Sequence, residues 1–122
     1  MTRIELAADS SAPRRARRLA AAVAGVPPAR RADVELIVSE LVTNAVVHAG
    51  LGEDDTIALE LSKDGEALRI AVEDGGAFDG FAAAAGPARA GDGGLGLRLV
   101  AALCERWEAR SGRVVAWVRL TG

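Results

Sequence analysis

Three short stretches of this 122-residue sequence hold residue types that can do chemistry, and each is weak alone. The first is SELVTNAVVH, where Glu40 and Asn44 stand four residues apart. On a helix that spacing stacks a carboxylate and a carboxamide on one face, about 6 Å apart, with Ser39 and Thr43 as a neighbouring polar pair. Asn44 can offer a neutral carbonyl oxygen to Mg2+, which keeps waters and substrate phosphates as its other ligands, and Glu40 can then act as a base or orient a water. An ordinary i,i+4 contact on a surface stripe would produce the same letters. The second stretch, Val72-Glu73-Asp74-Gly75-Gly76, runs a strand directly into acid and glycines. A carboxylate at a strand end can accept the exocyclic amine of adenine, and Gly76 lets the backbone approach the base where a Cβ could not. A plain Asp-Gly turn is the competing reading. The third stretch, Gly91-Asp92-Gly93-Gly94-Leu95-Gly96, opens a helix and satisfies G-x-G-x-x-G. No strand precedes it, and Ala116 stands where a ribose-binding acid would be, so a dinucleotide fold is set aside. Glycines at a helix start still leave backbone N–H groups free for a phosphate tail, aided by the helix dipole.

Hydropathy spacing supplies the elements that must position these groups. Residues 2–7 alternate as a first strand, with Ile4 and Leu6 on one side. Ser10-Ser11 offers an N-cap and Pro13 a first turn to a helix that runs through Leu19, Ala20 and Val23 and stops at Gly25. Pro27-Pro28 punctuates. Val34, Ile37, Val38, Leu41, Ala45 and Val46 then recur at three- and four-residue spacing, predicting a helix over residues 32–49 with Gly50 as its C-cap. Residues 56–62 and 68–72 alternate as two strands joined at the Asp64-Gly65 turn. From 75 to 93 the pattern falls to Gly, Ala, Pro and acid, a loop in which residues 81–85 can make a helical turn. Helical spacing returns from Leu95 towards Trp107, followed by a short strand over 107–110, a turn at Ser111-Gly112 and a strand over 114–120. Antiparallel hairpins and paired helices predict an α+β two-layer sandwich, with a mixed, mostly antiparallel sheet covered by helices on one face.

Composition removes several function classes. The only lysine is Lys63 and the only histidine is His48, so a P-loop, a eukaryotic-type kinase strand lysine and zinc sites built on several Cys and His are excluded. Cys104 is the lone cysteine and cannot bridge within the chain. Acidic side chains number 17 against 15 basic, a net charge of −2 that argues against a dedicated nucleic-acid binder. Arg14, Arg15, Arg17 and Arg18 form a basic run whose simplest reading is a solvated helix face; the functional readings are nucleic-acid phosphates, an acidic protein partner or a second copy of the chain in a homodimer. Nothing approaches an 18-residue apolar run, and charges occupy the place of a signal peptide's apolar stretch, so a cytoplasmic protein with one domain over residues 1–122 is expected.

The three stretches occur in the order of the N, G1 and G2 boxes, and the chain resembles the GHKL ATPases, whose Bergerat fold also underlies histidine kinases and gyrase. More narrowly, SELVTNAVVHAG, the strand ending in Asp74, GGLGLRLVAALCERW and GRVVAWVRL are similar to the anti-sigma factor serine kinases. The resemblance spans nearly the whole chain. It implies ATP and Mg2+ as cofactors, with Glu40 as the general base toward an acceptor serine and Asn44 as the metal ligand. It implies Asp74 as reader of the adenine amino group, Gly76 beside the base, and Gly94 and Gly96 at the phosphates with backbone contacts from Leu95 and Leu97. Residues 77–93 correspond to the ATP lid, with Arg89 its one basic residue. His48 matches a position commonly His in this branch, as pocket wall or as structural hydrogen bonder. Phe78 and Val114 depart from the family, which usually has a glycine and often a threonine there. The implied activity is transfer of the ATP γ-phosphate to a serine of a STAS-type anti-sigma factor antagonist, sequestration of a sigma factor, or both. The alternative is a non-enzymatic ATP-binding switch.

Overall fold

A computed structural model of the chain describes residues 1–23, 25–48, 55–74, 94–110 and 112–121. Its elements are β1 (Thr2–Ala7), α1 (Ala12–Ala22), α2 (Pro28–His48), β2 (Thr56–Asp64), β3 (Ala67–Glu73), α3 (Gly94–Leu103), β4 (Arg106–Arg110) and β5 (Arg113–Arg119). The strands form one five-stranded sheet in the order β1-β2-β3-β5-β4. Every pairing among them is antiparallel, so the expected α+β sandwich is present, and among the described residues its sheet has no parallel pair. Gly65, with φ +62°, takes the first central position of the β2–β3 turn between the paired Asp64 and Ala67, while Glu66 keeps a negative φ. That is the pattern of a type II′ turn, whose twist matches the flanking strands.

Period-2 alternation sorts each strand into two faces. Leu6 of β1, Ile57, Leu59 and Leu61 of β2, Leu68, Ile70 and Val72 of β3, and Val114, Ala116 and Val118 of β5 point toward the helices and are buried. The helices answer with Ala12, Ala16 and Ala20 of α1, Val34, Ile37, Val38, Leu41, Val42 and Ala45 of α2, and Val100 of α3. The alanine stripe of α1, at i, i+4 and i+8, leaves its backbone free to pack closely on α2. On the other face lies a small cluster of Ala67, Ala71, Val115 and Trp117, to which no described helix contributes. Arg106 covers it, its guanidinium 3.8 Å from the Trp117 ring centroid, while Trp117 Nε1 donates to Asp64 Oδ2 at 3.1 Å. Ion pairs of Arg3 with Glu60, Arg69 with Glu60 (3.8 Å) and Arg113 with Glu73 (3.3 Å) surround it.

Two helix boundaries differ from the sequence reading, and the expected N-cap of α1 is present with a different bond. Helix α2 begins at Pro28 rather than near Ala32, because proline suits a first helical turn, where its missing N–H would have no partner anyway. Ser11 is the N-cap of α1, but its side chain makes no capping bond. Its hydroxyl and backbone N–H instead donate to Asp9 Oδ1 at 2.6 and 2.9 Å, and these bonds hold the Asp9 carboxyl below its ordinary pKa. Helix α3 ends at Leu103, so Trp107 belongs wholly to β4, where it packs against the core. No helix of the described residues is long and apolar enough to cross a membrane.

Candidate functional site

Among the described residues only two polar side chains are buried: Asn44, 4% exposed, and Asp74, 2% exposed. Burying polar groups in an aliphatic core costs free energy, so both need an explanation beyond packing. Asp74 follows the inward row Leu68, Ile70, Val72, and alternation carries it onto the helix-covered side at the end of β3. Its N–H donates to the Gly112 carbonyl at 2.9 Å, which ties it to the β4–β5 turn. Gly112 reaches that place with φ +73°, a conformation side chains rarely adopt. Sequence reasoning treats Gly112 as a turn residue only; the register pairing Glu73 with Arg113 is what makes it a positioning residue for Asp74.

Asn44 is buried near the C-terminal end of α2, four residues before its last residue, and α2 packs against both β3 and α3. Its Nδ2 donates to the Glu40 backbone carbonyl at 2.9 Å, which fixes the carboxamide plane. Oδ1 is left buried with no hydrogen-bond partner among the described residues. An orphaned acceptor of this kind costs roughly 1–3 kcal/mol, and a ligand that reaches it recovers that cost. Glu40, one turn earlier, is half-buried and forms no ion pair among the described residues. Helix α3, which packs against α2, begins at Gly94, so Gly94, Leu95, Gly96 and Leu97 form its first turn. The N–H groups of a first turn have no intrahelical acceptors and suit an anion. An amide acceptor, a strand-end acid and a helix N-terminus thus come from elements that all adjoin α2. Residues 6–121 match the family model of the histidine kinase-like ATPase domain.

The chain belongs to the histidine kinase-like ATPase domain family. It is an ATP-binding, GHKL-type ATPase domain, and its sheet and helix layer are those of that fold. No curated protein matches the chain. In this ATPase domain His48 is the last residue of α2, and its side chain lies outside the described residues. Gly76 and the lid of residues 77–93, with Phe78 and Arg89, lie outside them as well. Val114, where a threonine was the family expectation, is fully buried among the inward residues of β5 and offers no hydroxyl.

The orphaned Oδ1 of Asn44 suits a hard cation. No cluster of three or more His, Cys, Asp or Glu that could hold a metal exists among the described residues, so a cation at Asn44 would complete its shell with phosphate oxygens and water. Cys104, just beyond α3, is a half-buried free thiol whose burial pushes its pKa above the ordinary value.

Proposed function

We propose that this histidine kinase-like ATPase domain is a cytoplasmic protein serine/threonine kinase of the anti-sigma factor type. It transfers the γ-phosphate of ATP to a serine of a STAS-type antagonist and, in the same regulatory role, holds a sigma factor. The observation that carries the reading is the Glu40–Asn44 turn: a buried carboxamide with an unused acceptor, and a half-buried carboxylate one turn away. Asp74 accepts the adenine amino group at the end of β3, with Gly76 beside the base, and the backbone of Gly94, Leu95, Gly96 and Leu97 takes the phosphates. Mg2+, held by Asn44 Oδ1, would supply charge neutralisation on the phosphate oxygens. Glu40 accepts the proton of the serine hydroxyl while the serine oxygen bonds to the γ-phosphorus and the bond from that phosphorus to the β–γ bridging oxygen breaks, releasing ADP.

Incubating the purified protein with γ-labelled ATP, Mg2+ and purified STAS domains of the source genome tests this directly. Wild type should label a serine. Glu40→Ala should keep its ATP affinity and lose about 10²- to 10⁴-fold in transfer rate, the usual range for removing a general base. Asp74→Ala should lose ATP binding, and Asn44→Ala should lose its Mg2+ dependence. A wild-type protein that binds ATP with Mg2+ and labels no serine would instead be the non-enzymatic switch.

A further inference from the structure

Exposed large apolar side chains are distributed unevenly. Among the described residues they are Val47 (63% exposed), Leu99 (40%), Leu36 (36%) and the terminal Met1. The first three sit on α2 and α3, in the helix layer, and the opposite face of the sheet has none. Leu36, Glu40, Thr43 and Val47 are spaced by four, three and four residues, so they form one stripe along α2. The carboxylate assigned as the base therefore stands between two aliphatic side chains about 16 Å apart along the helix. An aliphatic stripe on a helix usually faces the core; this one lies on the solvent side, away from Val34, Ile37, Val38, Leu41 and Ala45.

We infer that this stripe is the docking surface for the protein that carries the acceptor hydroxyl, an inference that rests on the kinase reading. The occupant is a protein segment that places one apolar side chain against Leu36, another against Val47, and its hydroxyl between them at Glu40. A small-molecule acceptor needs only Glu40 and gains nothing from contacts so far apart. A membrane surface is disfavoured because it would have to bury Glu40 in the middle of the apolar contact. Charge narrows the partner further. Helix α1 packs beside α2 on the same face of the sheet and exposes Arg14, Arg15, Arg17 and Arg18, none of which forms an ion pair among the described residues. A partner lying across both helices is accordingly acidic on the side that meets α1.

Leu36→Glu and Val47→Glu place charge on exposed helix positions and should leave the fold and ATP affinity unchanged, read by circular dichroism and nucleotide titration. With the purified STAS domains as probe, each should weaken binding and lower kcat/KM at least tenfold, mostly through KM, while Leu36→Met should restore it. Replacing Arg14, Arg15, Arg17 and Arg18 by Gln should flatten the salt dependence of binding. Variants that bind and phosphorylate the probe as wild type does would overturn the docking surface and leave the kinase reading intact. Binding that the Glu variants abolish, in a protein that never transfers phosphate, would uphold the surface and sink the kinase. A wild type that binds none of the domains, or binds phosphatidylserine vesicles through this stripe instead, overturns the inference.

Discussion

The two faces of the sheet are made by the same strands and solve opposite problems. On β3 and β5 the inward row is Leu68, Ile70, Val72, Val114, Ala116 and Val118, all buried under helices. The outward row of the same strands is Ala67, Arg69, Ala71, Glu73, Arg113, Val115, Trp117 and Arg119. Water is kept off its small apolar cluster by arginine stems and by the stack of Arg106 on Trp117, and the shallow cleft of about 180 Å³ that remains is lined by Arg69, Glu108, Arg113, Val115 and Trp117. An antiparallel sheet can leave one face to solvent when long cationic side chains cover its apolar spots. The covered face has no such need, so polar atoms there are not explained by solubility. Its two exceptions among the described residues are Asn44 and Asp74, and sites that break local packing rules are where function is expected.

Paired substitutions on neighbouring residues would break this contrast most directly. Ile70→Ala, on the covered face, should cost about 2–5 kcal/mol in urea unfolding, because it opens a cavity that the helix layer cannot fill. Asn44→Leu should move stability the other way, by about 1 kcal/mol in the nucleotide-free protein, since it removes a buried acceptor without a partner. A loss of stability there would mean that the carboxamide is structural. Arg69→Ala, on the open face, should cost less than about 1 kcal/mol, and the cost should shrink further in high salt. If it matched Ile70→Ala, the open face would be a second core.

The smallest effect belongs to Asp9, at the entry to the helix layer. Hydrogen bonds from Ser11 lower its pKa in the folded state relative to the unfolded chain. Its contribution is therefore present above the unfolded value of about 4 and lost as pH falls through the folded one. Ser11→Ala should reduce the difference between denaturation midpoints at pH 7 and pH 3, and should not touch the pH dependence above 6.

Local periodicity made most of the elements legible. The three- and four-residue spacing of Val34, Ile37, Val38, Leu41 and Ala45 announces α2, and the alternation of β3 puts Leu68, Ile70 and Val72 on one face before any contact is known. The Glu40–Asn44 pair is legible for the same reason, because i and i+4 share a helix face whatever surrounds the helix. The start of α2 was hidden because Pro28 reads equally as a stop and as a first helical residue.

By itself, then, the order of residues determined which side chains travel together: Leu68 with Ile70, Val72 and Asp74, Glu40 with Asn44, Leu36 with Val47. Tertiary structure alone decided what each set meets. Strand order placed β5 between β3 and β4, which brings the Gly112 carbonyl to the Asp74 N–H. The helix layer closed over one face and left Asn44 Oδ1 buried with no partner among the described residues, while Leu36 and Val47 stayed exposed. The physical reason is range: backbone geometry repeats every two or 3.6 residues and is written locally, whereas burial depends on which distant segment arrives to exclude the water.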